Sequence, residues 1–79
     1  MLTATQTLDR YYYEMRWRIL SLAADLDRVH RASGGAETLD ADPRIAALRS
    51  CIEELLGQDV GRAERVQMIL SDKSPAPTR

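Results

Sequence analysis

The sequence has little of what small proteins use to reinforce a fold. Its 79 residues include one cysteine, one histidine and no phenylalanine. A disulfide framework needs paired cysteines, and a structural zinc needs about four Cys or His ligands, so Cys51 and His30 can supply neither. We therefore expect no disulfide, no metal centre and no cofactor. The unpaired thiol fits a reducing compartment.

The sequence also lacks an excess of one charge and any long hydrophobic run. Eleven Lys and Arg residues face twelve Asp and Glu residues, so the net charge is −1 and the basic excess of many nucleic-acid-binding proteins is missing. No stretch approaches the ~20 apolar residues of a membrane span, and the N-terminal residues show no signal-peptide pattern. These absences predict a cytoplasmic protein without a membrane segment.

The small size of the chain favours association with a partner. A chain this short buries only about 60% of the surface that its unfolded form exposes, and such a core usually supplies no more than ~3–5 kcal/mol. Because disulfides and metals are excluded, oligomerisation is the remaining means of reinforcement. The sequence therefore predicts a homo-oligomer, most simply a dimer, or a complex with another protein.

The apolar residues of the sequence follow a helical period. The first helix is long and is predicted over 5–32. Thr3 or Thr5 can cap its start, and Gly34 with Gly35 can end it. Apolar residues alternate at steps of four and three, which is a heptad pattern held for about three repeats. This stripe, called the Leu8 seam below, consists of Leu8, Tyr12, Met15, Ile19, Leu22, Leu26 and Val29.

Two shorter helices are predicted after a loop of glycine and acidic residues. Asp42 and Pro43 are typical of a helix start, so the second helix is expected over 43–56. Its apolar face consists of Ile45, Leu48, Ile52, Leu55 and Leu56. Asp59 is expected to cap a third helix over 59–70. The apolar face of this third helix is expected to consist of Val60, Ala63, Val66 and Leu70, with Gln67 and Ile69 beside it.

These elements predict an all-α fold of one small domain over residues 1–70. The predicted architecture is a three-helix bundle with a long first helix and two shorter helices. The tail, residues 71–79, has two prolines and no apolar pattern, so it is expected to be disordered.

The first predicted helix carries a second apolar stripe, called the Trp17 face below. Tyr13, Trp17, Leu20 and Ala24 lie roughly 160° around the helix from the Leu8 seam. A helix that packs against one neighbour needs only one apolar stripe. The Leu8 seam can pack against the two shorter helices, which leaves the Trp17 face without an obvious partner in the same chain. The Trp17 face therefore predicts a homodimer, antiparallel by preference, or a protein partner. The alternatives are that Tyr13 and Trp17 are surface aromatics on a monomer, or that the loop and the tail cover them.

A nucleic-acid-binding regulator is the alternative function. The second and third predicted helices and their short turn are compatible with a helix-turn-helix, in which Arg62, Arg65 and Gln67 are base-contacting types. The run of arginines and tyrosines over 10–18 is compatible with stacking on single strands. Four expected intrahelical ion pairs compensate most of the positive charge on the first helix, namely Arg10–Glu14, Glu14–Arg18, Asp25–Arg28 and Asp27–Arg31.

No motif in the sequence indicates catalysis. Cys51 is expected to be a small buried hydrophobe, and His30 is expected near the C-terminal end of the first helix. An enzyme would need a site completed across a dimer. The sequence therefore favours a non-catalytic helical module that assembles through the Trp17 face.

Overall fold

The computed structural model of the chain describes residues 1–71, and these residues form helices with no strand. The helices are α1 (Ala4–Arg31), α2 (Gly35–Ala41), α3 (Pro43–Leu55) and α4 (Arg62–Leu70). The all-α class is therefore confirmed for this part of the chain. Of the predicted tail, residues 72–79 lie outside the described residues.

The chain divides into two compact units, Met1–Thr38 and Leu39–Arg79, whose boundary falls within α2. Unit 1 holds α1 and the first turn of α2, whereas unit 2 holds the rest of α2, α3 and α4. Within residues 1–71, four helices are present where three were predicted, whereas the bundle and the single domain over 1–70 stay predictions.

Helix α1 begins and ends close to the predicted bounds of 5–32, because local capping groups define both ends. The Thr3 side chain accepts the Gln6 backbone N–H at 3.2 Å, and Gln6 Oε1 accepts the Thr3 backbone N–H at 2.9 Å. This reciprocal pair is a capping box, which satisfies two amides that a helix start leaves unpaired. At the other end, the Ala32 N–H donates to the Arg28 and Val29 carbonyls at 3.2 Å.

The loop expected after the first helix is wrong, because its residues form the extra helix α2. Gly34 has a φ of +76°, a left-handed conformation that lets the chain turn away from α1. Gly35 then starts the helix and is buried, since its backbone lies directly against the Val29 and His30 carbonyls. Alanine and leucine favour helix in the following residues, and Glu37 complements the positive end of the helix dipole. The adjacent glycines obscured this helix in the sequence.

Helix α3 starts as the Asp42–Pro43 pair predicts, but α4 starts later than expected. The Asp42 carboxylate accepts the Arg44 backbone N–H at 2.8 Å, and α3 ends at Leu55. The expected cap at Asp59 is wrong, since α4 begins at Arg62 after Gly61, whose φ is +92°. The Asp59 carbonyl instead accepts a hydrogen bond from Arg65. Six loop residues, 56–61, therefore separate the two helices.

Helices α3 and α4 pack against each other in unit 2. Cys51 is 7% exposed and is the one buried hydrophobic side chain among residues 1–71, as the sequence predicts. The apolar face expected for the third helix is partly wrong, because Val66 and Ile69 are half-buried whereas Val60 and Leu70 are exposed. Val60 is displaced because it belongs to the loop and not to the helix.

The N-cap of α3 makes the stability of this helix sensitive to acid. The pKa of Asp42 falls from its ordinary 3.8 to about 2, first because the carboxylate accepts hydrogen bonds from the Arg44 guanidinium and second because it accepts the Arg44 backbone N–H. A carboxylate whose pKa is lower in the folded chain stabilises the fold above its ordinary pKa, and this stabilisation disappears as pH falls to the lowered value. We expect the loss between about pH 4 and pH 2.

The test is urea unfolding at several pH values for the wild type and for Asp42→Asn. Asparagine caps helices well but does not titrate in this range. The wild type should therefore lose stability relative to Asp42→Asn as pH falls from about 4 to about 2. Parallel decreases of the two midpoints would contradict the prediction.

Candidate interaction surface on the first helix

The four residues of the Trp17 face lie on one side of α1. Tyr13 is 70% exposed, Trp17 72% and Leu20 58%, whereas Ala24 is half-buried. Their spacing of four, three and four residues matches the helical period, so the side chains form one stripe about 16 Å long. The described part of the chain therefore leaves two large aromatic rings on this face open to solvent.

Two depressions on the Trp17 face have the composition of the holes found in packed helix pairs. One is lined by Tyr13, Arg16, Trp17 and Leu20. The next is lined by Trp17, Leu20, Ser21 and Ala24, with Asp25 and Arg28 at its rim. In each, the first four residues stand at positions i, i+3, i+4 and i+7 of one helix. Four residues at this spacing form the hole that receives one side chain of a facing helix.

The side chains of Arg16 and Tyr12 contact the Tyr13 ring of the Trp17 face. The Arg16 guanidinium carbon lies 5.9 Å from the centre of the Tyr13 ring, within the range of a cation–π contact. The Tyr12 and Tyr13 rings meet edge to face, with their centres 5.7 Å apart. These contacts restrict the Tyr13 ring at one end of the face.

Two of the four expected ion pairs of α1 are confirmed, and two are wrong. Glu14 pairs with Arg18 at 3.3 Å, and Asp25 pairs with Arg28 at 2.6 Å. Glu14 engages Arg18 instead of Arg10, which agrees with the preference for the acidic residue on the N-terminal side of such a pair. Within residues 1–71, Arg10 and Asp27 have no ion-pair partner.

The Leu8 seam is exposed over its N-terminal half. Leu8, Tyr12, Met15 and Ile19 are each about half exposed or more, whereas Leu22, Leu26 and Val29 are half-buried. The first half of the Leu8 seam is therefore more open to solvent than its second half. Two apolar stripes of α1 are open to solvent between Leu8 and Leu20.

Arginines of α4 hold the loop that precedes their helix. The Arg65 guanidinium donates to Glu54 of α3 at 2.6 Å, to the Val60 carbonyl at 2.8 Å and to the Asp59 carbonyl at 3.2 Å. The Arg62 guanidinium donates to the Gly57 carbonyl. Both residues were candidates for base contact, and the structure places them in intrachain hydrogen bonds instead. Their role was hidden in the sequence because it depends on the path of the loop.

No group of three or more His, Cys, Asp or Glu side chains within residues 1–71 is arranged to hold a metal ion. His30 is exposed in the last turn of α1, and Cys51 is buried in α3. None of the helices in the same range is long and apolar enough to cross a bilayer.

Neither a family model, nor a curated protein, nor a solved structure matches this chain. Function is therefore inferred from the described surface. Within residues 1–71, the Trp17 face carries the most exposed aromatic side chains.

Proposed function

We propose that this protein is a non-catalytic helical assembly module that self-associates through the Trp17 face. The observation that carries the proposal is the pair of exposed rings, Tyr13 and Trp17, on one stripe with Leu20. Trp and Tyr are enriched in the buried centres of protein interfaces and are frequent hot spots. The two depressions along the stripe match the shape that a facing helix requires.

The small core of the described chain supports association. Cys51 is the one buried hydrophobic side chain within residues 1–71, so folding removes little apolar surface from water. An aromatic side chain buries about 150–250 Å², and burial contributes roughly 25 cal/mol per Å² of apolar surface. Covering Trp17 alone would thus contribute several kcal/mol before the entropic cost of association. A partner on this face would supply stabilisation that the isolated chain lacks.

The charge distribution favours a protein partner over nucleic acid. Arg62 and Arg65 are the basic candidates of the expected reading helix, and both donate to groups of their own chain. The net charge of −1 removes the general attraction to phosphates that dominates most nucleic-acid binding.

With its unpaired thiol, the module fits a reducing compartment, and we place it in the cytoplasm.

Sedimentation equilibrium of the wild-type chain tests the proposal. At tens of micromolar, we expect a mass of two chains, because Trp and Tyr are frequent hot spots at the centres of protein interfaces. The alternative is that the Trp17 face binds a helix of a different protein. A monomeric wild type at this concentration would contradict self-association.

A further inference from the structure

We infer that the partner on the Trp17 face is a second copy of α1 that runs antiparallel. The two-fold axis crosses this face midway between Trp17 and Leu20, at the height of the peptide bond between Arg18 and Ile19. This inference rests on the proposed function and adds the orientation and register of the assembly. It places Trp17 of one copy against Leu20 of the other. The same register places Tyr13 against Ala24.

The charges at the two ends of the Trp17 face carry the inference. Arg10 lies three residues before Tyr13, and Asp27 lies three residues after Ala24. Both therefore continue the alternating spacing of the stripe and lie about 25 Å apart along α1. Neither has an ion-pair partner within residues 1–71. In the antiparallel register, Arg10 of each copy faces Asp27 of the other, so both ends of the interface are complementary.

A parallel pair would bring like groups together. With the same stripe in register, Arg10 would face Arg10 and Asp27 would face Asp27 across the pair. Facing like charges oppose association, and facing opposite charges favour it. The charge pattern thus selects the antiparallel orientation.

The shapes of the two depressions agree with the same register. The depression lined by Ser21 and Ala24 has small side chains on one side and lies opposite Trp17 of the second copy. The depression lined by Tyr13 and Trp17 is walled by large rings and lies opposite the smaller Leu20. Large residues therefore face small ones along the whole stripe, which is the arrangement that close packing requires.

Charge reversal at the two ends tests the register by sedimentation equilibrium at low salt. The single variants Arg10→Asp and Asp27→Arg should each raise the dimer Kd about ten-fold, because two attractive contacts become repulsive. The double variant restores opposite charges at both ends and should return to within about three-fold of the wild type. An equimolar mixture of the two single variants should associate as tightly as the wild type. Arg49→Asp, which makes the same charge change at an exposed position of α3, is the control and should change the Kd less than three-fold.

The outcomes separate the register from self-association itself. A dimeric wild type with wild-type Kd in both single variants would overturn the antiparallel register while leaving the proposed function intact. A double variant as weak as the single variants would also overturn it. A monomeric wild type would overturn both proposals.

Discussion

Trp17→Arg is expected to convert the proposed dimer into a monomer. Trp17 is 72% exposed in the single chain and lines both depressions of the Trp17 face, so the substitution removes the largest apolar group of the interface and adds a charge. Hot-spot truncations typically cost about 2 kcal/mol or more, and a two-fold interface contains Trp17 twice. The dimer Kd should therefore rise on the order of a thousand-fold. Sedimentation equilibrium over a concentration series measures this change.

Met68→Arg is the matched control for this prediction. Met68 is 70% exposed, nearly the same as Trp17, but it lies on α4 and not on the Trp17 face. The substitution adds the same charge and removes an equally exposed apolar side chain. We expect Met68→Arg to remain dimeric and both variants to keep the helical circular dichroism of the wild type. Equal loss of the dimer in the two variants would show that the Trp17 face is not the interface.

Gly35→Ala is expected to destabilise the corner between α1 and α2. Helix propensity alone predicts the opposite sign, because alanine in a helix is more favourable than glycine by roughly 0.5–1 kcal/mol. In the structure, however, a Cβ at Gly35 would overlap the backbone carbonyls of Val29 and His30, and backbone cannot move aside as a flexible side chain can. Overpacking of this kind typically costs about 1–3 kcal/mol. Urea unfolding followed by circular dichroism should show a lower midpoint than in the wild type.

Gly34→Asn provides the control at the neighbouring glycine. Gly34 has a φ of +76° and no atom within 4 Å of the position where a Cβ would lie, so backbone conformation is the one constraint there. Asparagine visits this left-handed region more readily than most residues. Its midpoint should therefore fall less than that of Gly35→Ala. A Gly35→Ala variant as stable as the wild type would show that the close approach of α1 and α2 does not occur in solution.

The features that were predictable from the sequence are those that neighbouring residues determine. Thr3 with Gln6 defines the start of α1, and Asp42 with Pro43 defines the start of α3, because each cap involves groups only a few residues apart. The Trp17 face was predictable for the same reason, since the period of a single helix places its residues on one side. Burial of Cys51 followed from its position beside the apolar face of α3.

The features that the sequence did not reveal depend on groups that come together only when the chain folds. Gly35 starts a helix because its missing side chain lets the backbone approach the end of α1, and a glycine pair in a sequence is equally typical of a loop. Arg62 and Arg65 bond to the loop before α4 because the chain reverses there. That Arg10 and Asp27 have no ion-pair partner within residues 1–71 likewise depends on side-chain positions.

The sequence by itself thus determined the all-α class of residues 1–71, the N-terminal caps of α1 and α3, and the residues of the Trp17 face, because helical periodicity and capping are local. Tertiary structure decided that α2 exists and that α4 begins at Arg62. It also decided that Arg62 and Arg65 of α4 donate hydrogen bonds to carbonyls of the preceding loop. It also decided which side chains stay exposed. These outcomes depend on how the backbone turns between one helix and the next, which the period of a single helix does not encode.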